Sequence, residues 1–444
     1  MDTSPADTRT AEDAAEDPDG PPGRGIPPKA HRVIIAASVG NALEWFDIAI
    51  YGFFAATIAK LFFPSSDDTV SLLLTFGTFG VSYVVRPVGA VVLGRYADRV
   101  GRKAALMLSI KLMMLGTLLI AAMPTYGVIG VAAPVAILLA RLIQGFSAGG
   151  EFGSSTAFLV EHAPRMRGFM SSWQFASQGV STLLAAAFGT VLTSSLSSAQ
   201  MESWGWRIPF VFGLLIGPVG YYIRRHVDEA PEFTRSASEG AGAERGPVAE
   251  VLGHHKARVL LAIGVLAVST AITYLITYMP VYAVKELDLP ASTGFAATMV
   301  TGAVLTVVTP LIGLWSDRAG RIRIMAAFAA LILLLLYPTF AFLVAHPGFG
   351  VILAVMFLVG VLKAGYFGAL PALLSDLFPV SSRATGMSLS YNLGVMLFGG
   401  TTPVVVVWLV DATGSKLAMT WYLSALALLS LACVLLARRR YAVR

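Results

Sequence analysis

Charge and cysteine are both scarce in this chain. Of its 444 residues only 13% are Asp, Glu, Lys or Arg, and Cys433 is the single cysteine. One cysteine excludes an intramolecular disulfide, a CxxC redox pair and a cysteine-based metal site. So little charge cannot cover the surface of a soluble protein of this length, which excludes a large aqueous catalytic domain.

Motifs for catalysis and nucleotide binding are also missing. There is no HExxH sequence, no P-loop and no cluster of metal-ligating residues. The net charge of +6 is scattered between apolar segments and is not gathered on one face, so it does not indicate a nucleic-acid partner. We therefore expect a protein that is not an enzyme, holds no cofactor and no metal, and does not use ATP as its energy source.

Hydrophobic residues, in contrast, make up 56% of the chain, and its mean hydropathy is +0.72. At about 20 apolar residues per crossing, this content suffices for roughly a dozen transmembrane segments. The apolar runs are long and glycine-rich and lack the alternation of β-barrel strands, so we expect helices. The predicted spans, numbered 1 to 12, cover residues 33–60, 69–94, 104–123, 131–159, 169–195, 207–223, 257–283, 292–316, 323–345, 349–374, 384–410 and 417–437.

The basic residues predict an orientation. Nearly all Lys and Arg outside the spans fall on the side of the two termini, and those on the other side are Lys60, Arg207, Lys285 and Lys416. Because basic loops stay in the cytoplasm, we expect both termini there, in a plasma membrane such as a bacterial inner membrane. The predicted organisation is a disordered tail at 1–32, helical halves at 33–223 and 257–437, a linker at 224–256 and a tail at 438–444.

A sequence repeat supports the division into halves. The pattern GxxxDRxGR follows span 2 and recurs after span 8, almost half the chain later. Its glycine would let two helices approach closely, and its Asp would accept hydrogen bonds from the start of a neighbouring helix. The alternative is a tight hairpin that only sets topology. To this gating motif we assign Gly94, Asp98, Arg99, Gly101, Arg102 and Lys103, and, in the second half, Gly313, Asp317, Arg318, Gly320 and Arg321.

Ionisable residues within the spans are candidates for function, because each costs about 2.5–3.5 kcal/mol to insert. Glu44 and Asp47 in span 1 and Glu151 in span 4 are the candidate proton carriers, since hydrocarbon favours the neutral form of a carboxylic acid. The alternative is that Glu44 and Asp47 form structural pairs with a cation such as Arg86.

Three intramembrane cations predict an anion site. Arg141 shares a face of span 4 with Gln144, and its guanidinium can hold a carboxylate through two hydrogen bonds. The alternative is that Arg141 only pairs with a buried carboxylate. For the uncharged candidates, contact between helices is an equally good explanation. The candidate substrate-binding residues are Asn41, Tyr51, Arg86, Arg141, Gln144, Gln174, Gln178, Tyr274, Tyr278, Lys363 and Asn392.

These motifs resemble those of a known group. GxxxDRxGRK at 94–103 and RLIQG at 141–145 are similar to the signature of the major facilitator superfamily, and the resemblance covers roughly 33–437. GNALEWFD at 40–47, RPVG at 86–89, QGFSAGGE at 144–151 and WGWRIPF at 204–210 resemble its metabolite:proton symporter family. That family includes transporters of citrate, tricarballylate, 2-oxoglutarate, shikimate and proline or betaine.

The resemblance implies an all-α membrane transporter with two six-helix halves, which expose a site between them alternately to the two sides. We expect proton-coupled uptake of a small organic acid, a di- or tricarboxylate such as citrate or 2-oxoglutarate, because both halves supply cations. The alternatives are proton symport of a zwitterionic osmolyte such as proline or betaine, and export. The expected partners are the lipid bilayer, the substrate and protons, with a monomer as the working unit.

Overall fold

The computed structural model describes residues 30–100, 102–161, 165–225, 247–379 and 382–441. Every regular element in these ranges is helical. Residues 1–29 and 442–444 of the predicted tails lie outside the described residues, as do positions 226–246 of the predicted linker, whereas 438–441 continue the last helix. Within the linker, Pro247–His254 forms a short helix before span 7.

The first half contains the six spans expected from the apolar runs. Several of them consist of two helices in succession, and short helices at Tyr126–Ile129, Ser198–Ser203 and Gly205–Arg207 lie in the connections. In chain order, spans 1 to 6 are Ala30–Phe53 with Ala55–Phe62, Asp68–Val84 with Arg86–Val100, Arg102–Ala122, Ala132–Ala148 with Glu151–Glu161, Arg167–Ser195, and Ile208–Arg225.

The second half repeats this arrangement. Span 11 includes a π-helical turn at Val395–Gly399, which ends at two successive glycines. In chain order, spans 7 to 12 are Lys256–Lys285, Ala291–Ala319, Arg321–Ala345, Phe349–Phe367 with Leu370–Leu377, Arg383–Gly394 continuing to Thr402–Thr413, and Ala418–Tyr441.

Length and hydropathy agree with a membrane bundle. In the described part of the chain, eight helices are long and apolar enough to cross a bilayer. Span 1 becomes a ninth when its two helices, bent by 63° at Phe54, are taken together, and three shorter apolar helices lie in spans 3, 4 and 6. Large apolar side chains such as Leu215, Leu334 and Leu428 are exposed on the outside, where lipid would cover them. The prediction of a twelve-helix membrane fold is confirmed.

Glycines bring spans 2 and 4 into backbone contact. A Cβ atom on Gly145 would clash with the carbonyl oxygen of Ser82, and one on Gly149 would clash with that of Arg86. Side chains larger than hydrogen would therefore separate the two helices. This close packing places the Arg86 and Arg141 side chains side by side in the first half.

The two halves touch at both ends of the bundle. We call the end that carries residues 30 and 441 the terminal side, and the opposite end the far side. Towards the far side, a Cβ on Gly189 of span 5 would clash with the ring of Phe295 in span 8, and, nearer the middle, a Cβ on Gly80 of span 2 would lie 2.6 Å from the carbonyl oxygen of Gly400 in span 11. On the terminal side, a Cβ on Gly313 of span 8 would lie 2.6 Å from the carbonyl oxygen of Gly168 in span 5. The conformation is therefore closed towards both sides.

Candidate functional site

Glu44 and Arg86 form an ion pair inside the first half. Glu44 Oε1 lies 3.7 Å from Arg86 Nη2, and both side chains are buried. The Arg86 guanidinium also lies over the rings of Tyr83 and Trp45, at 4.5 and 5.7 Å from their centroids. The predicted alternative for Glu44, a pair with Arg86, is thus the arrangement that the structure contains.

Asp47 lies one helical turn further along span 1 and turns towards spans 3 and 6. Thr117 Oγ1 of span 3 lies 2.8 Å from Asp47 Oδ2 and donates to it. The other carboxylate oxygen, Oδ1, is buried without a hydrogen-bond partner among the described residues and lies against Gly213 of span 6, where a Cβ would clash with it. Asp47 is therefore not paired with Arg86, contrary to the alternative that grouped it with Glu44.

Arg141 is connected to Asp47 by a chain of hydrogen bonds. Arg141 Nη1 donates to Gln144 Oε1 at 2.8 Å, and Gln144 Nε2 donates to Thr117 Oγ1 at 2.9 Å. Arg141 Nη2 also donates to Ser82 Oγ at 3.3 Å. The face shared by Arg141 and Gln144, predicted from their spacing, is present, and Thr117 and Ser82 are partners that the sequence did not suggest.

Arg141 has aromatic neighbours but no acidic one in the described part of the chain. Its guanidinium carbon lies 4.6 Å from the ring centroid of Tyr51 and 5.1 Å from that of Phe79. Among the described side chains, no carboxylate lies within ion-pair distance of Arg141. The side chain of Glu151, the third predicted proton carrier, lies outside what the structure describes.

Asn41 and Gln174 bond to each other. Asn41 Nδ2 donates to Ser177 Oγ and to the Gln174 carbonyl oxygen, both at 2.7 Å, and Gln174 Nε2 donates to Asn41 Oδ1 at 3.0 Å. In span 11, Asn392 Nδ2 donates to the Gly149 carbonyl oxygen at 2.7 Å. These three candidates join helices in this conformation.

A small cavity lies between the halves, with a volume of about 10 Å³. It brings together the predicted residues Gln178 and Tyr274, whereas Tyr278 packs against Phe76 on the far side. Its polar lining comes mainly from span 7 and its apolar lining from aromatic rings. The residues that line it include Trp45, Phe175, Gln178, Ser269, Thr270, Thr273, Tyr274, Phe367 and Tyr391.

Lys363 lies beside this cavity. Its Nζ is 4.7 Å from the ring centroid of Phe367, one of the lining residues, and the side chain is buried. No carboxylate of the described residues is within ion-pair distance of it. Lys363 from the second half and Arg141 from the first are therefore two buried cations without an acidic partner among the described side chains.

The second copy of the gating motif joins the halves on the terminal side. Asp317 Oδ1 and Oδ2 accept hydrogen bonds from the backbone N–H groups of Gly168 and Phe169, at 2.8 and 3.0 Å. These donors belong to the first turn of span 5, so the carboxylate also interacts favourably with the positive end of that helix.

An ionic network surrounds this contact. Arg321 pairs with Asp317 at 3.4 Å and also with Asp376 at the end of span 10, which in turn lies 3.4 Å from Arg167. The sequence analysis missed Asp376 and Arg167, although an acidic residue at the end of an apolar span was a usable signal. Gly320 ends span 8 with a φ of 93°, which favours glycine, and the Arg318 side chain is exposed.

The structure describes little of the first copy of the motif. A Cβ on Gly94 would meet no described atom within 4 Å, so the close helix approach predicted for this glycine is not among the described contacts. Gly101 lies outside the described residues, as do the side chains of Asp98, Arg99, Arg102 and Lys103.

Comparison with known proteins extends the sequence resemblance. The chain matches the Major Facilitator Superfamily over residues 37–336 and 291–443. It is 38% identical to the citrate-proton symporter of Klebsiella pneumoniae over 412 residues, and this alignment covers 92% of each chain. It is 34% identical over 414 residues to the alpha-ketoglutarate permease of Escherichia coli strain K12, covering 92% of this chain and 93% of the relative.

A third relative has a different substrate in its name. The proline/betaine transporter of Escherichia coli strain K12 is 32% identical over 414 residues, which cover 91% of this chain and 82% of the relative. Among solved structures, the proton:xylose symporter XylE bound to a bromodeoxyglucose aligns with a TM-score of 0.75 at 17% identity, covering 93% and 95% of the two chains. This likeness supports the fold alone.

Proposed function

Because the chain belongs to the Major Facilitator Superfamily, we propose that it is a proton-coupled symporter that takes up a small di- or tricarboxylate such as citrate or 2-oxoglutarate. The observation that carries this proposal is the buried guanidinium of Arg141, which has no carboxylate partner among the described side chains and is hydrogen-bonded in series to Asp47. A symporter moves its substrate without converting it, so the proposal includes no enzymatic reaction and no cofactor.

The substrate would bind between the halves. A guanidinium can hold a carboxylate through two parallel hydrogen bonds, so a substrate carboxylate would replace Gln144 and Ser82 as partners of Arg141. Lys363 would supply the second positive charge from the other half. Since Glu44 already neutralises Arg86, that pair contributes little net charge to the site.

The proton would bind at Asp47. When Asp47 is ionised, Thr117 donates its single hydroxyl proton to Oδ2 at 2.8 Å; when Asp47 is protonated, it can donate to Thr117 Oγ1 instead. The hydroxyl proton of Thr117 then turns to the carbonyl oxygen of Met113, 3.0 Å away. Gln144 donates to the same hydroxyl oxygen and accepts a hydrogen bond from Arg141. Reversing the hydrogen bond between Asp47 and Thr117 therefore changes the hydrogen bonding of the residue that orients Arg141.

A zwitterionic osmolyte is the second candidate substrate. The cavity between the halves has aromatic rings from Trp45, Phe175, Tyr274, Phe367 and Tyr391 in its lining. Aromatic faces attract quaternary ammonium groups, and a betaine would place its carboxylate on a nearby cation. The likeness to the proline/betaine transporter favours the same substrate class.

For the orientation, we propose that the terminal side faces the cytoplasm, since the basic residues lie mostly there. The protein would work as a monomer, because the cavity and both closing contacts are formed within one chain. The membrane is proposed to be a bacterial plasma membrane, as for the relatives from Klebsiella and Escherichia.

Uptake into proteoliposomes tests the proposal. Labelled citrate, 2-oxoglutarate, shikimate, proline and betaine would be offered with an inward proton gradient. We expect accumulation of a carboxylate that a protonophore abolishes and that Asp47→Asn and Arg141→Lys reduce at least about tenfold, the effect of 1.4 kcal/mol. Lys111→Gln, which removes an exposed charge from span 3, should transport normally.

Three other results of the uptake experiment would each support a different function. Accumulation of betaine or proline alone would select the osmolyte. Gradient-independent equilibration would contradict proton coupling. Proton-driven loss of substrate from preloaded vesicles of known orientation, without uptake of any compound, would select export.

A further inference from the structure

A second pocket lies entirely within the first half. It occupies about 40 Å³ between spans 1, 3, 4 and 6, and it shares no lining residue with the cavity between the halves. Its polar lining comes from two carboxylates and two hydroxyls, and two glycines of span 6 form one wall. These six residues are Glu44, Asp47, Ser109, Ser147, Gly213 and Gly217. We call it the first-half pocket.

The first-half pocket extends from Asp47 towards the terminal side. Along span 1 it reaches from Asp47 back to Gly40, a distance of about 10 Å at the helical rise. Span 3 contributes Ser109, which lies about 10 Å from the terminal-side start of that helix. The pocket thus covers about 10 Å of the path from Asp47 to the terminal-side surface, and about 10 Å of span 3 separates it from the start of that helix.

The two oxygens of Asp47 face different surroundings. Oδ2 accepts the hydrogen bond from Thr117 and so belongs to the chain that leads to Arg141. Oδ1 lies against Gly213 in the wall of the first-half pocket and has no hydrogen-bond partner in the part of the chain that the structure describes. A buried carboxylate oxygen without a partner is costly, so a ligand that donates a hydrogen bond is expected at this position.

Water fits this position in size and polarity. A buried water needs about 10–15 Å³ and two to four polar partners, so a pocket of about 40 Å³ has room for two or three. Ser109 and Ser147 already hydrogen-bond to each other's backbone carbonyl oxygens, and their hydroxyl oxygens retain lone pairs that can accept from water. Glu44 adds carboxylate oxygens at the same wall.

We propose that the first-half pocket is a water-filled exit through which the proton leaves Asp47 for the terminal side, separate from the path of the substrate. When the protonated carboxyl group of Asp47 turns its protonated oxygen from Thr117 towards the pocket, it transfers the proton to a water there. The carboxylate remains, with Thr117 donating to its other oxygen, and the proton passes to bulk solvent as hydronium. This inference rests on the proposed proton symport and adds the route.

Silver ions can test whether the pocket is open to water. With Cys433 as the only native cysteine, a Cys433→Ser background allows a single thiol to be placed in the pocket by Ser109→Cys or Ile110→Cys. We expect silver applied from the terminal side to block later maleimide labelling of the denatured protein at both positions. Saturating substrate should not prevent this block. The control is Leu115→Cys, at a lipid-exposed position of span 3, which silver should leave free.

Two results would overturn the exit path. One is a pocket thiol that silver does not reach from the terminal side. The other is a substrate effect on the pocket thiol. If substrate protects this thiol from silver as strongly as it protects a thiol placed in the cavity between the halves by Thr273→Cys, silver reaches both positions by one path.

Filling the pocket provides a functional test. A Cβ on Gly217 would lie 2.8 Å from Cγ and Sδ of Met114, whose flexible side chain would be pushed into the pocket. We expect Gly217→Ala to reduce proton-driven uptake at least tenfold while exchange between equal substrate pools stays within twofold of wild type. Gly77→Ala, where a Cβ would meet no described atom within 4 Å, should change neither rate.

The experiments distinguish a failure of the proposed symport from a failure of the proposed exit path. If the wild-type protein shows no proton-driven uptake of any compound, the proposed symport is wrong. If the wild type is driven by protons and Gly217→Ala is driven equally well, the exit path is wrong and the symport stands. If Gly217→Ala does not fold, the silver experiment decides.

Discussion

Two carboxylates on the same helix, three residues apart, have different surroundings. Glu44 faces Arg86 of span 2, whereas Asp47 faces Thr117 of span 3 and Gly213 of span 6. Three residues correspond to about 300° of helical rotation, so the two side chains diverge by about 60° and reach different neighbours. This difference suits Glu44 to charge compensation and Asp47 to proton exchange.

Thr117 should be required for coupling. Thr117→Val keeps the shape of the side chain but removes the hydrogen bond to Asp47 and the acceptor for Gln144. The loss of hydrogen bonds to a charged group is worth about 1.5–3 kcal/mol, so we expect proton-driven uptake to fall at least tenfold. Substrate exchange without a gradient should change much less, and both rates are measured in the same proteoliposomes.

Thr117→Ser serves as the matched control, because it keeps the hydroxyl. It should retain most of the proton-driven uptake. Equal losses in the serine and valine variants would show that packing, and not the hydrogen-bond chain, is what matters at this position.

Removing one member of the Glu44–Arg86 pair should destabilise the protein. Glu44→Ala leaves a buried guanidinium without its carboxylate, and breaking a buried pair in this way costs about 3–5 kcal/mol. We expect a lower thermal midpoint in detergent. The double variant Glu44→Gln with Arg86→Met, which removes both charges, should recover part of this loss. A midpoint of Glu44→Ala equal to wild type would contradict the role of charge compensation.

At the scale of helices, glycine sets the closest contacts. Spans 2 and 4 meet through glycines within one half, and Gly80 and Gly400 meet across the halves. The first contact belongs to the fixed framework of a half, whereas the second must open when the far side opens. Similar glycine contacts therefore serve two different purposes.

Gly80→Ala should hinder closure on the far side. Its Cβ would lie 2.6 Å from the carbonyl oxygen of Gly400, and backbone atoms cannot move away as a flexible side chain can. We expect uptake to fall at least tenfold while substrate binding from the far side persists, as measured by equilibrium binding to the purified protein. Gly77→Ala, one helical turn away and facing open space, is the control. Normal uptake by Gly80→Ala would exclude this contact from the transport cycle.

The twelve helices were predictable because each is an apolar run of sufficient length between polar breaks. Rotation about the helix axis was less predictable, since runs that are apolar on every side give little information on which face a neighbour covers. The pair Arg141 and Gln144 lies on one helix and was anticipated from spacing alone. The link through Thr117 depends on how span 3 is rotated against spans 1 and 4, so the sequence did not suggest it.

At the scale of the whole molecule, the described part of the chain contains a closing contact at the second copy of the repeated motif. Asp317 holds the start of span 5, and Gly313 lies against Gly168, whereas Gly94 faces open space among the described atoms. The shared sequence pattern assigned a gating role to both copies. Which copy closes depends on the relative position of the halves, and this changes during alternating access.

Asp317→Asn should weaken closure on the terminal side. The amide retains one acceptor oxygen but loses the charge that favours the start of span 5 and the pairing with Arg321. A loss of 1–2 kcal/mol would shift the closing equilibrium about 5- to 30-fold. We expect a cysteine placed at Ser316, a small residue buried in this contact, to label faster from the terminal side in this variant. Arg323→Gln, which removes a nearby exposed charge, is the control, and equal labelling in the two variants would contradict the prediction.

The buried charges of the spans have an electrical consequence. Among the described side chains within the interior of the spans they are Arg86, Arg141 and Lys363 against Glu44 and Asp47. With Asp47, Lys363 and the remaining span carboxylate Glu151 all protonated, these charges leave two positive charges in excess, which a bound dianion cancels. Each elementary charge moved through 100 mV corresponds to about 2.3 kcal/mol. The membrane voltage therefore acts on the return of the unloaded protein and leaves the loaded step almost untouched.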